Sequence, residues 1–450
     1  MTYRRLLKTN IAFRRLWLGQ VISEIGDWLN NIAVLALTIH LAGAGREGIA
    51  VAIYAIARHL PLFVFGPLAG VVVDRSDRRR VMIAADILRA LFALAFLLAN
   101  RLSSLSAIYI VGAGLFAVSA FFNAAKRASI PNLVHGSQEL LSANSLSAST
   151  TAATIAVGSA LGGVLATFAG RNTVFILNSA TFLASAILIS RIRVATRKAD
   201  RMETESANQP GSEFLALNGA GGNSSKNGFT TASQRLRLHR ILGRLYVDFR
   251  EGLGYVRSSS VLSAIFIVAA GWGLGNGVAR ALYSLFGSRL GMATASGLLA
   301  RPTDFGISVL FVAMGLGGVL GAPLAKRFNA GSSDALGRRM GRSLFFDGCG
   351  LALFSLMPSL WTAAVVLIAR EINFAIWWTA QQTIIMSKTD DRYAGRVFAS
   401  YETLTTLMMV GSMLAAGAAA DRFGIKPVAA SGGIVIACSG LLWFVLRKRK

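Results

Sequence analysis

Two carboxylic acids, Glu24 and Asp27, interrupt an apolar run near the start of the chain. With Gln20 and Asn31 they recur at i, i+4, i+7 and i+11, the spacing that lines up four side chains on one face of an α-helix. A second stripe, Arg370, Asn373, Trp377 and Gln381, has Glu371 beside it, and in a third run Asn276 and Arg280 lie about one turn apart. Charged groups in such surroundings are costly, so they persist by facing a water-filled cavity or by pairing with one another. The chemistry open to a carboxyl group there is reversible proton binding. Burial disfavours the charged form, and a neighbouring carboxylate disfavours it further. A cation such as Arg58 or Arg370 opposes that effect when it is close, so a movement between acid and cation changes the hold on the proton. The competing reading is structural: Glu24 or Asp27 paired with Arg58 to hold helices together, as Asp86 and Arg89 are expected to pair at i, i+3.

Other chemistry finds little support. The four His are scattered, and Cys349 and Cys438 lie in apolar runs without metal-ligand spacing, so no metal and no cofactor is expected. No nucleophile stands beside a base, which argues against a membrane enzyme. No Gly-x-x-x-x-Gly-Lys-Ser/Thr occurs, which argues against ATP drive. A net charge of +25 would suit nucleic acid in a soluble protein, but here the basic residues sit between apolar runs, and no nucleic-acid partner is expected.

The elements that must position the stripes are membrane spans. The chain is 54% hydrophobic and only 15% charged, well below the charged share of a soluble domain. It reads as twelve spans from Leu16–Ala42 to Ile425–Leu446, an all-α membrane protein, with the ninth, Leu344–Met357, unusually short. Between the second and third runs lies Asp74-Arg75-Ser76-Asp77-Arg78-Arg79-Arg80, too short to cross a bilayer and therefore a turn at one face. Under this assignment 35 of the 46 Lys and Arg fall in cytoplasmic segments, 7 in external loops and 4 within spans. That bias places both termini in the cytoplasm of a multi-pass protein of the plasma (bacterial inner) membrane. The basic start leads into a run too long for a cleaved signal, so the first span is expected to stay. Residues 1–190 form the first group of six spans and 261–450 the second. The connector, 191–260, is Gly/Ser-rich at first and then reads as an amphipathic helix over Leu236–Val256 on the inner face.

The halves carry a weak repeat. Gly158-Ser-Ala-Leu-Gly162-Gly163 matches Gly411-Ser-Met-Leu-Ala-Ala at an offset of 253, and Gly70-x-x-x-Asp74-Arg75 matches Gly321-x-x-x-Ala325-Lys326 at 251. Gly158, Gly162, Gly163 and Gly411 are expected at close helix contacts, since lipid gives apolar side chains no drive to pack.

The stretch Gly70-x-x-x-Asp74-Arg75-x-x-Arg78-Arg79 resembles the loop between the second and third helices of the major facilitator superfamily, with Asp77 where that pattern has Gly. Phe13-Arg-Arg-Leu-Trp-Leu-Gly-Gln, Gly26-Asp27-Trp28 and Ala394-Gly-Arg396-Val-Phe are similar to its macrolide-efflux and siderophore-exporter branch, to which lysophospholipid transporters are related. The resemblance implies two six-helix bundles, a central cavity lined by spans one, four, seven and ten, and secondary active transport by alternating access. It implies a monomer in a lipid bilayer that exports a bulky amphiphilic small molecule against protons. Asp27, in the Gly-Asp-Trp match, is the expected proton site and Glu24 the second. Trp272 and Trp377 are candidate apolar walls. Asp74 is expected near Arg396, closing the cytoplasmic side when the protein faces outward. Span five departs from the superfamily's antiporter signature, having Ser159 where that has Pro. Uptake, facilitated diffusion, lysophospholipid transport and a non-transporting sensor or scaffold are the alternatives.

Overall fold

The structure, a computed structural model, describes residues 3–192, 250–295, 297–329 and 332–448. A short helix, α1 (Tyr3–Thr9), precedes six long ones: α2 (Ile11–Ala42), α3 (Glu47–Arg75), α4 (Arg78–Arg101), α5 (Leu105–Leu133), α6 (Gly136–Phe168) and α7 (Arg171–Ser190). Six more follow the connector: α8 (Ser260–Ala295), α9 (Pro302–Phe328), α10 (Ser333–Leu356), α11 (Leu360–Ser387), α12 (Asp391–Phe423) and α13 (Ile425–Lys448). Helices α2 to α13 are the twelve expected spans in order. Residues 252–258 are helical too, at the end of the expected amphipathic segment. The rest of that segment and the Gly/Ser-rich connector lie outside the described residues.

Local chemistry sets the helix starts. Asn10 Oδ1 accepts from the Phe13 amide at 2.9 Å to open α2. Asp77 Oδ1 accepts from the Arg79 and Arg80 amides at 2.9 and 3.2 Å to open α4. The residue at which the basic loop departs from the superfamily pattern is thus a helix cap, which satisfies orphan amides and complements the helix dipole. In the same loop Arg78 donates to the Ala128 carbonyl at 2.6 Å and Arg79 to that of Ser190, the last residue of α7. These two arginines tie the turn to α5 and α7.

Eleven of the twelve helices are long and apolar enough to cross a membrane. The exception is α10, expected as a short span from Leu344. It begins eleven residues earlier, at Ser333, where Ser332 caps the Ala335 amide. At 24 residues it is about 36 Å long. Arg338, Arg339 and Arg342 dilute the hydropathy of its first turns, and their long stems can reach water from the edge of a bilayer.

The packing repeats itself. In the first bundle α2 packs on α6 and α7, α3 on α5, and α4 on α5 and α7. In the second, α8 packs on α12 and α13, α9 on α11, and α10 on α11 and α13, the same pairing six helices on. The bundles meet in two seams that also exchange under the repeat, α6 against α9 and α3 against α12.

Small residues bring the seams close. A Cβ on Gly163 would stand 2.1 Å from Ser308 Oγ on α9, and one on Gly48 would stand 2.4 Å from the Gly417 carbonyl on α12. Within the first bundle, Gly158 and Gly162 lie against Ile25, Trp28 and Leu29 of α2. The expectation for Gly411 is not met, because a Cβ there would meet nothing within 4 Å. Helix α12 makes its close approaches elsewhere, at Ser412 and Met409 against Gly277 and at Gly417 against Gly48.

Candidate functional site: charged groups between the bundles

The polar stripe of α2 divides by partner. Glu24 Oε1 accepts from Gln20 Nε2 at 2.9 Å and from Lys126 Nζ at 3.2 Å, while Oε2 accepts from Thr154 Oγ1 at 3.1 Å. Asp27 makes one looser contact, 3.8 Å to Arg89 Nη1, and its side chain is 22% exposed. Arg89 is nearly fully buried, bonded to Asp86 and placed between the rings of Phe122 and Phe182, 4.0 and 4.4 Å from their centroids. Arg58 pairs with neither Glu24 nor Asp27. Its guanidinium donates to Asn31 Oδ1 and stands 4.7 Å from the Trp28 ring and 5.1 Å from Phe116. Gln20 and Asn31 are buried between helices.

In the second bundle Arg370 is the hub. It donates to Asp347 on α10 at 3.1 Å, to Glu371 at 3.2 Å and to the Tyr283 hydroxyl on α8. Asn373 donates to the Ser343 carbonyl at 2.7 Å and so faces α10. Trp377 is buried in a cluster with Trp272, Phe374 and Trp378, with 4.8 Å between the Trp272 and Trp377 ring centroids. Gln381 accepts from Tyr401 at 3.2 Å, and Asn276 lies 3.9 Å from the sulfur of Met409. Arg280 is different: it is exposed in the middle of α8, within electrostatic range of Glu371 and Arg370 and of Arg58 and His59 in the other bundle.

Lys126 and Asp347 were missed by the sequence reading, and each has a reason. Lys126 lies just past the end of the apolar run that begins at Leu105, yet α5 continues to Leu133 and carries the ammonium back to Glu24. Asp347 lies inside the short ninth span, Leu344–Met357. A count of acids and bases inside the apolar runs points to Asp347 and not to Lys126, which lies beyond the end of its run.

The bundles are latched at one end. There Arg171 and Asp304 form a two-pronged ion pair, with Nε to Oδ1 at 3.0 Å and Nη2 to Oδ2 at 2.8 Å. Arg301 donates to the Ala166 carbonyl at 2.7 Å, and Asp421 caps α3 by accepting from the Gly48 and Ile49 amides at 2.7 and 2.9 Å. At the other end, where the basic loop turns, Asp74 and Arg75 are exposed, and Gly70 and Gly395 face open space. Among the described residues no ion pair joins Asp74 to Arg396, whose guanidinium lies 5.8 Å from the Tyr393 ring.

Two repeated six-helix bundles, latched at one end, with charged groups buried between helices, are the build of a polytopic membrane transporter. The family model described as Major Facilitator Superfamily matches residues 16–412. The chain belongs to that superfamily. It is 26% identical to the putative bacilysin exporter BacE of Bacillus subtilis, over 90% of this chain and 88% of that one. It is 22% identical to macrolide efflux protein A of Streptococcus pyogenes, over 96% and 95%. Among solved structures, a bacterial homolog of the human lysosomal transporter Spinster, in an inward-facing and unoccupied conformation, superposes with a TM-score of 0.66 at 13% identity, over 97% and 96% of the chains.

Proposed function

We propose that this protein is a proton-coupled exporter of a bulky amphiphilic small molecule and works by alternating access, as a monomer in the bacterial inner membrane. It is not an enzyme in this reading. The observation that carries it is the contrast between the two acids of α2. Glu24 accepts hydrogen bonds from three donors that protonation would disturb, whereas Asp27 holds one cation at 3.8 Å and is open to water. Asp27 is the acid with less to lose on taking a proton, and it shares Arg89 with Asp86. A shift of α2 against α4 changes that sharing, and with it the proton affinity. The similarity to proteins described as exporters supports outward transport.

The excess of basic residues in alternate segments supports cytoplasmic termini, with 1–190 and 261–450 as bundles and 191–260 as a cytoplasmic linker. The open end is then the cytoplasmic one. Asp74, Arg75, Arg78 and Arg79 belong to a gate that closes against the start of α12, near Arg396, when the protein turns outward. The experiment is flux in proteoliposomes across a range of pH. Asp27→Asn is expected to abolish export driven by a pH gradient and to leave downhill exchange. Full gradient-driven export by both Asp27→Asn and Glu24→Gln removes the coupling role.

A further inference from the structure

Away from the latched end, the charged groups between the helices pair within their own bundle. In the first, Lys126 serves Glu24, and Arg89 serves Asp86 and Asp27. In the second, Arg370 serves Asp347 and Glu371. Each bundle has one cation left over. Arg58 has an amide oxygen and two aromatic faces but no carboxylate, and Arg280 has no hydrogen bond or ion pair among the described residues. The acids within range of them, Asp27 and Glu371, are engaged by Arg89 and Arg370.

We infer that Arg58 and Arg280 form a binding site for the anionic head, carboxylate or phosphate, of an amphiphilic substrate held between the two bundles. The inference rests on the transporter reading and adds the substrate's charge. Three observations carry it. The two guanidinium groups come from opposite bundles, on helices α3 and α8, which pack against each other, and Arg280 lies within electrostatic range of Arg58. An anion between them offsets both charges, and guanidinium groups present paired donors to carboxylate and phosphate oxygens. Arg280 is exposed mid-helix although its electrostatic neighbours lie in both bundles, so water or a ligand reaches it there. Beside Arg58, Trp28 and Phe116 offer apolar faces, and Trp28 also lies against Phe311 of the second bundle, with 6.0 Å between centroids. An anionic head with an apolar body fits such surroundings, and a cationic head is repelled by the two guanidinium groups. His59 lies within electrostatic range of both arginines, and its ring Nδ1 lies 2.8 Å from the Ala55 carbonyl. It adds no negative charge.

The test uses the purified full chain in detergent, with melting temperature and tryptophan fluorescence as readouts. The probes are matched: 4-phenylbutyrate and phenyl phosphate as anions, 4-phenylbutyramide as the neutral analogue and 4-phenylbutylamine as the cation. The anions at millimolar concentration are expected to raise the melting temperature, and the amide and amine are not. Which anion binds more tightly separates carboxylate from phosphate as the preferred head. Arg58→Gln and Arg280→Gln are each expected to weaken anion binding by about tenfold or more, as loss of a charge-assisted contact does. Arg58→Lys should keep part of it, and Arg101→Gln, exposed at the end of α4, should keep all of it. Equal or better stabilisation by the amine, no anion effect at all, or full affinity in both glutamine variants overturns the inference. Failure of the transport reading looks different: the anions still bind through Arg58 and Arg280, but reconstituted protein moves no substrate across the bilayer.

Discussion

Arg370 shows how one buried side chain can anchor a bundle. Its guanidinium joins three helices, through Asp347 on α10, Tyr283 on α8 and its own neighbour Glu371. Both Arg370 and Asp347 are almost fully buried. Removing one member of a buried ion pair costs about 3–5 kcal/mol, whereas removing the whole charged group is far milder. Asp347→Ala, which leaves Arg370 only Glu371 as a carboxylate partner, is therefore expected to lower the melting temperature of the purified protein by several degrees, and Asp347→Ala with Arg370→Met and Glu371→Gln to recover most of the loss. A triple variant no more stable than the single one would mean that the three charges are not coupled in this way. The stripe containing Arg370 was legible from its spacing. Its partner was not, because spacing along one helix says nothing about which acid the neighbouring helix presents.

At the scale of elements, the seams depend on missing side chains. Where α6 crosses α9, a Cβ on Gly163 would stand 2.1 Å from Ser308 Oγ, and the Ser308 hydroxyl donates to the Ser159 carbonyl at 2.7 Å. Ser159 occupies the position at which the antiporter signature has Pro, and its carbonyl is part of the crossing. A Cβ at Gly163 would also stand 2.2 Å from Ser308 Cβ, which no side-chain rotation moves, so Gly163→Ala already pushes α6 from α9 and Gly163→Val pushes it further. Both should cut transport with insertion intact, valine more than alanine; parental transport in Gly163→Val would show that the crossing is not limiting. The sequence announced this crossing through its cluster of small residues but did not say which helix it meets. The repeat was equally partial. It indicated equivalent helices, and the pairing of α2–α7 does recur in α8–α13, yet Gly411 faces open space while its counterpart Gly158 is covered. A repeat in fold fixes topology, and each half then chooses its own contact residues. Helix α10 shows the opposite limit: basic first turns hid eleven residues of helix from a reading based on hydropathy.

For the molecule as a whole, the contacts at the latched end are what must break if the bundles are to open there. Asp304 is fully buried and held by two hydrogen bonds from Arg171, and Asp421 supplies the N-terminal cap of a helix in the other bundle. These bonds join bundles rather than helices of one bundle, so they stabilise the closed end only. Opening it would expose Asp304 to water and remove any penalty for losing its partner. Arg171→Ala thus destabilises one state and leaves the other nearly unchanged, which is the condition for a ligand-free shift in population. Truncating one partner of a buried, hydrogen-bonded pair across an interface costs about 2–5 kcal/mol, and the lower figure already changes a two-state ratio by about thirtyfold. The readout is labelling by an impermeant maleimide of a cysteine replacing Ser308, which is buried in the seam, in a background lacking the exposed Cys349 and Cys438. Arg171→Ala and Asp421→Ala should each speed labelling at Ser308→Cys. Asp421→Asn should do so less than alanine, since an amide oxygen still accepts from the α3 amides. Labelling at the parental rate in both alanine variants would mean that the latch does not hold this end closed.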